Sequence, residues 1–209
     1  MIDIIGADRI GGWGQSASGR PFWACDPRPE DIHLDDIVHA LSHLCRYGGH
    51  CSKFFSVLEH SVLVSMVVPP EHARDAIGHD FTEAYVVDVP RPLKRMLKDY
   101  AAIEWRNWDA ISFALGFSLE LPKCIHDADN AVLLAEKAVL LGPSPAPWSV
   151  PGEPADVTVR GLPPFLARWM FWARWHELNH APKRTRRWSA LRARIGIAVF
   201  DLLTLRFLR

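Results

Sequence analysis

Glycine and proline cut this chain into helix-length pieces, and no other feature constrains its fold as much. Gly48-Gly49, Pro69-Pro70, Pro90-Arg91-Pro92, Gly116, Pro122, Gly142, Pro164 and Pro182 each stand at the edge of an apolar run. Within the runs, apolar residues recur every three to four positions, as Ile37, Val38, Leu41, Leu44 and Cys45 do. The pattern predicts helices over about Leu34 to Tyr47, Ser56 to Val68, Glu71 to Val86, Asp99 to Leu115, Pro122 to Leu141, Pro164 to His180 and Arg184 to Arg209. No stretch alternates long enough to demand a sheet, and no internal repeat is visible. The expected fold is all-α: a helical bundle over 1–182 opened by an irregular arm at 1–30, then an amphipathic helical extension at 183–209.

The 209 residues fit one domain with a proper core. Twenty-four basic residues balance twenty-four acidic ones, so the whole-chain charge suggests neither a nucleic-acid nor a membrane partner. Cys25, Cys45, Cys51 and Cys124 form no C-x-x-C pair and read as reduced thiols rather than a disulfide framework. Met1 to Arg9 lacks the basic start and long apolar stretch of a signal peptide, and the expected compartment is the cytoplasm. Ten histidines invite a search for a metal site.

The expected third helix carries Gly78-His79-Asp80-Phe81-Thr82-Glu83. His79 and Glu83 are four apart and Asp80 and Glu83 three apart, so each pair shares a helical face. Buried charge of this kind needs compensation, and a divalent cation supplies it. Imidazole with carboxylate suits zinc, manganese, iron or cobalt better than calcium. One helix cannot enclose an ion, and His60 and Asp129 on neighbouring helices are candidates for the remaining ligands. His60 follows Ser56-Val57-Leu58-Glu59, which has the form of a capping box.

Three strings, Cys45-Arg-Tyr-Gly-Gly-His50, Phe55 to Val64 and His79 to Lys94, resemble the HD-domain phosphohydrolases. The branch they are most similar to holds the bacterial 5′-deoxynucleotidases and the phage dATP triphosphohydrolases. The resemblance runs over about residues 20 to 140. It implies a metal held by His60, His79, Asp80 and a later aspartate. Asp129, with Leu133, Leu134 and Glu136 behind it, matches the family register, and Asp127 is the alternative. It further implies zinc, cobalt or manganese, with a second ion such as magnesium possible, and Glu83 and Asp88 acting near the water and the leaving group. Arg46, Lys94, His50 and Tyr85 are implied substrate contacts, the substrate being a (deoxy)nucleotide mono- or triphosphate. Members of the family commonly form homo-oligomers.

Two other readings compete. His176-Glu-Leu-Asn-His180 matches the zinc-protease signature, but Pro182 follows at once and Asp201 is the sole acidic residue beyond it. A nucleotide-binding regulator with little turnover is the third reading, and the presence of Glu83 and Asp88 opposes it. The terminal segment bears an apolar stripe of Trp188, Leu191, Ile195, Val199, Leu202 and Leu203 amid arginines. That pattern suits a subunit interface and, less well, a membrane surface.

Overall fold

The computed structural model describes residues 8–207, with side-chain surroundings as far as Thr204. The signal-peptide reading of the first residues, and the last two residues of the expected terminal helix, lie outside that range. The body is a single helical one, 58% helix and 3% strand. Its helices are α1 (Leu34–His43), α2 (Val57–Val67), α3 (Ala73–Ile77), α4 (Glu83–Val86), α5 (Arg91–Lys94), α6 (Tyr100–Leu115), α7 (Lys123–Leu140), α8 (Pro164–Leu178) and α9 (Lys183–Phe207).

Helix α2 is the axis of the fold. Every residue from Val57 to Ser65 is buried, and α1, α3, α7 and α8 pack around it. A helix apolar on nearly all sides has nowhere else to go. One core cluster joins α1, α2, α6 and α8 through Ile37, Leu41, Leu58, Ile111 and Phe171. A second joins α2, α3 and α7 through Leu63, Val64, Ala76, Ile125 and Val132.

The Ser56 hydroxyl caps α2 by accepting from the Glu59 N–H at 3.1 Å. The other half of the expected capping box is absent. The Glu59 carboxylate turns away and accepts from the N–H groups of Arg160, Gly161 and Leu162. There it pins the connector to the centre of the body. Gly161 (φ +72) sits so close that an added Cβ would meet the Phe54 carbonyl oxygen at 2.5 Å.

Two predicted helices are shorter than the periodicity suggests. The first ends at His43, because Leu44 and Cys45 are extended: Cys45 bridges Ser56, the Val57 N–H donates to the Leu44 carbonyl, and the Arg46 N–H donates to the Phe55 carbonyl before a 3₁₀ turn over Arg46–Gly49. The third is broken. A 3₁₀ turn at Pro70–His72 leads into α3, which stops at Ile77; tight turns carry the chain through Gly78 to Thr82 before α4 begins. At the break Gly78 packs so closely on Phe117 that a Cβ would lie 2.6 Å from its ring.

The arm at 1–30 is not wholly irregular. Strands β1 (Gly14–Gln15) and β2 (Pro21–Phe22) make a small antiparallel hairpin. It is tied to α1 through Asp36, which accepts from the Ser16 and Ser18 hydroxyls and the Ser18 N–H. The cysteines are free thiols, Cys25 exposed and the others half-buried. Among the described residues no helix is long and apolar enough to cross a membrane.

Candidate metal centre

The break in the third helix builds the site. With α3 ended at Ile77, the His79 Nδ1 lies 2.8 Å from the Ala76 carbonyl oxygen. A carbonyl can only accept, so Nδ1 carries the hydrogen and Nε2 keeps its lone pair. His60, on α2, is arranged the same way. Its Nδ1 stands 2.6 Å from Oε1 of Glu136, and its Nε2 faces the turn that carries His79 and Asp80. Both Nε2 atoms are buried, and neither has a hydrogen-bond partner of acceptable geometry. Two buried, unpartnered Nε2 atoms pointing at one place call for a cation between them or, where a ring is protonated, for a carboxylate that takes up its charge.

Carboxylates complete the cluster. Asp129 Oδ1 is 3.2 Å from His60 Nε2, and Asp80 Oδ2 is 3.5 Å from His60 Nε2 and 3.3 Å from His79 Nε2. His60, His79 and Asp129 offer ligand atoms all within 4.8 Å of one another, and no other such group of His, Cys, Asp or Glu occurs among the described residues. This buried group can hold a metal ion, and the mixture of two imidazoles with carboxylates suits zinc, cobalt or manganese.

Glu136 and Tyr47 were not picked out from the sequence as parts of a site. Glu136 lies seven residues, two helical turns, after Asp129 on α7, so both face α2. Besides His60 it accepts from the Arg46 Nε at 3.1 Å and the Tyr47 hydroxyl at 2.6 Å. Burial alone would raise its carboxyl, but Arg46 and His60, with the Tyr47 hydroxyl, bring it down to about 2. Burial and Arg46 disfavour the His60 imidazolium; Glu136 and Asp129 outweigh them and push it up to about 9. The ring is thus surrounded by groups that favour positive charge upon it. Tyr47 reaches Glu136 from a left-handed backbone (φ +60) followed by Gly48 and Gly49, also at positive φ. The Gly-Gly pair was the legible signal for this turn.

Glu83 is brought to the cluster by the tight turn in which its N–H donates to the Asp80 carbonyl. Burial, with Asp80 and Asp88 close by, holds its carboxyl well above the usual range, against the pull of Arg46 and Lys94. Asp88 is also raised by burial, opposed chiefly by Arg46. It follows Val87, a β-branched residue at φ +61 whose carbonyl accepts from the Tyr100 hydroxyl at 2.8 Å. Such a backbone costs roughly 1–3 kcal/mol, and here it aims Asp88 toward the cluster.

The expected substrate contacts divide. Arg46 is buried with its guanidinium 3.5 Å from Asp80 as well as on Glu136, inside the cluster. Lys94 pairs with Glu104 at 2.6 Å at the rim. His50 is exposed and outside the cluster. Tyr85 packs its ring on Phe22 of the arm, 5.2 Å between centroids, and its buried hydroxyl is unpartnered. Asp127 is exposed and bound to Lys123 one turn away, whereas Asp129 faces the imidazoles. Arg91, one of several basic residues near the motif, donates to the second Asp129 oxygen at 2.7 Å and to Asn130 at 2.9 Å.

The protease signature does not form its site. Helix α8 ends at Leu178, short of the expected His180, which lies beyond it at φ +51. The two histidines therefore do not stack one turn apart. His176 instead packs on Trp172, and Glu177 pairs with Arg174.

No protein-family profile matches the sequence. The chain is 37% identical over 169 residues to the uncharacterized protein YfdR of Escherichia coli (strain K12), an alignment covering 79% of this chain and 95% of the relative. It is 32% identical over 188 residues to the uncharacterized protein RCAP_rcc00048 of Rhodobacter capsulatus, again over 95% of the relative.

Proposed function

The chain belongs to the family of the Escherichia coli protein YfdR, and for this member we propose a metal-dependent phosphohydrolase that removes the 5′ phosphate or phosphates of (deoxy)nucleotides. One observation carries the reading: the orphaned Nε2 atoms of His60 and His79 converge with Asp80 and Asp129, beside Glu83, whose Oε2 is buried and unpartnered. The resemblance of these same residues to the HD-domain phosphohydrolases supports the substrate class.

In this account His60, His79, Asp80 and Asp129 hold a divalent ion, which when bound lowers the pKa of a water and polarises a phosphoryl oxygen. Glu136 and the Ala76 carbonyl fix the two imidazoles with Nε2 toward the ion. Glu83, one short turn from Asp80, would orient the water and accept its hydrogen once the ion offsets the surrounding carboxylates. Asp88 stands ready to return a proton to the leaving oxygen. Arg46 balances the carboxylates around it, while Lys94 and Arg91 at the rim meet phosphate oxygens. The rim leaves both a mono- and a triphosphate substrate open.

The test is a panel of nucleoside mono-, di- and triphosphates incubated with the zinc-, cobalt- or manganese-loaded protein. Inorganic phosphate as product identifies a 5′-nucleotidase, and intact triphosphate a triphosphohydrolase. Binding of nucleotide without turnover by any metal-loaded form would instead favour a regulator.

A further inference from the structure

Among the described residues, a continuous run of exposed apolar side chains lies along α9. Trp188, Leu191, Ile195, Val199 and Leu202 follow one another at three- and four-residue steps, and each is about half exposed or more. The opposite face of the helix is firmly seated. Ala193 is buried, Ile197 and Phe200 join the main core cluster, and Gly196 lies against Leu166 and Trp169 with no room for a Cβ. Arg160 of the connector holds Asp201 at 3.1 Å. The stripe therefore faces outward on a helix whose rotation is fixed by packing.

Its charge says what can cover it. From Lys183 to Thr204 there are six basic residues and one acidic one, in a chain with no net charge overall. The single acid, Asp201, is taken by Arg160. None of the six (Lys183, Arg184, Arg186, Arg187, Arg192, Arg194) forms an ion pair among the described residues. By helical geometry Arg187 and Arg194 flank the stripe on one side, Arg184 stands in line with it one turn before Trp188, and Arg192 flanks it on the other side while stacking on Trp169 at 4.1 Å. A groove of about 770 Å³ opens between α8 and α9, lined by Trp169, Trp172, Trp188, Leu191, Arg184 and Arg192 among others.

We infer that α9 is a docking surface for an anionic lipid bilayer, lying in its interface with the apolar stripe inward and the arginines on lipid phosphates. The pattern is that of an interfacial helix: an outward apolar face, an indole near one end, and a basic border without acidic partners. The groove between α8 and α9 offers apolar walls for an acyl segment and guanidinium groups for its phosphate. A second copy paired with its α9 parallel fits less well, because the two unpaired basic borders would lie within a Debye length of each other.

Vesicle flotation of the full chain tests this. Vesicles of phosphatidylcholine alone are compared with vesicles of phosphatidylcholine and phosphatidylglycerol in equal parts, at low and high salt. The expected result is flotation with the anionic vesicles only, lost at high salt. Replacing Arg184, Arg187 and Arg194 by Glu should lower partitioning about a hundredfold. Trp188→Ser with Leu191→Ser should also release the chain although every arginine remains. Both variants should keep the helical circular-dichroism signal and zinc binding of the wild type, which separates lost docking from lost folding. Failure of the wild type to float with anionic vesicles at low salt, or equal binding to neutral ones, overturns the inference. So does a non-floating dimer that the Trp188→Ser, Leu191→Ser variant converts to monomers.

Discussion

His60 Nδ1 lies 2.6 Å from Oε1 of Glu136, with both side chains wholly buried. A carboxylate on α7 thus decides which nitrogen of a histidine on α2 is free to bind an ion. Glu136→Gln keeps the volume of the side chain but removes the charge that His60, Arg46 and Tyr47 share. Metal affinity, measured by zinc titration calorimetry, should fall about 10- to 100-fold. Urea unfolding of the metal-free protein should show a loss of about 3–5 kcal/mol, because Arg46 is left buried without its main counter-charge.

The two aspartates of α7 should behave in opposite ways. Asp129→Asn removes a carboxylate 3.2 Å from His60 Nε2, and bound metal should be lost from the purified protein. Asp127→Asn disturbs only an exposed pair with Lys123, and metal content should be unchanged. His180→Ala should likewise leave metal content intact. Elemental analysis of the three variants reads all of this directly.

Gly78 links the core to the site. Gly78→Ala would place a methyl group 2.6 Å from the Phe117 ring, immediately before His79 and Asp80. The expected cost is about 1–3 kcal/mol in unfolding free energy, with weaker metal binding because the turn must shift. Adding Phe117→Leu, which vacates the ring position, should recover part of the metal affinity even though the apolar loss persists.

The arm should loosen in acid through Asp36. Burial would raise that carboxyl, but the Ser18 and Ser16 hydroxyls, the Ser18 amide and Arg20 together hold it below the ordinary value. A carboxyl depressed in the folded state contributes stability above its unfolded pKa, about 3.9, and loses it as pH falls through the lower folded value. The Ser18 amide resonance, whose N–H donates to Asp36, should hold its position at pH 4 and move only below it. In Asp36→Asn it should already be displaced at neutral pH.

The helical architecture was legible because breakers and periodicity agree along nearly the whole chain. What periodicity could not show was where tertiary pairing overrides it. Leu44 and Cys45 read as helix and are extended, because the segment at Phe55 and Ser56 offers backbone partners there. Glu71 to Val86 reads as one helix and is two, with tight turns through Gly78 to Thr82 between them that periodicity does not mark. His60, His79 and Asp129 lie where one ion could reach all three, and Asp80 stands 3.5 and 3.3 Å from the two imidazoles. Their supports, Glu136 and Tyr47, were hidden: a glutamate two turns beyond an aspartate looks like any helical face, and the left-handed Tyr47 has no local signature beyond its glycines. Tyr85 and His50 belonged to the motif string, yet one is packed on the arm and the other faces solvent, since adjacency in sequence does not fix direction in a turn.

The most direct test of the account is the phosphorus NMR spectrum of a nucleotide mixture incubated with metal-loaded protein, with protein stripped by a chelator, and with stripped protein given zinc, cobalt or manganese again. The account predicts 5′ cleavage that stops on stripping, returns on reloading, and is absent from Asp80→Ala. Cleavage that survives both the chelator and Asp80→Ala, or no cleavage with any of the three ions, would contradict it.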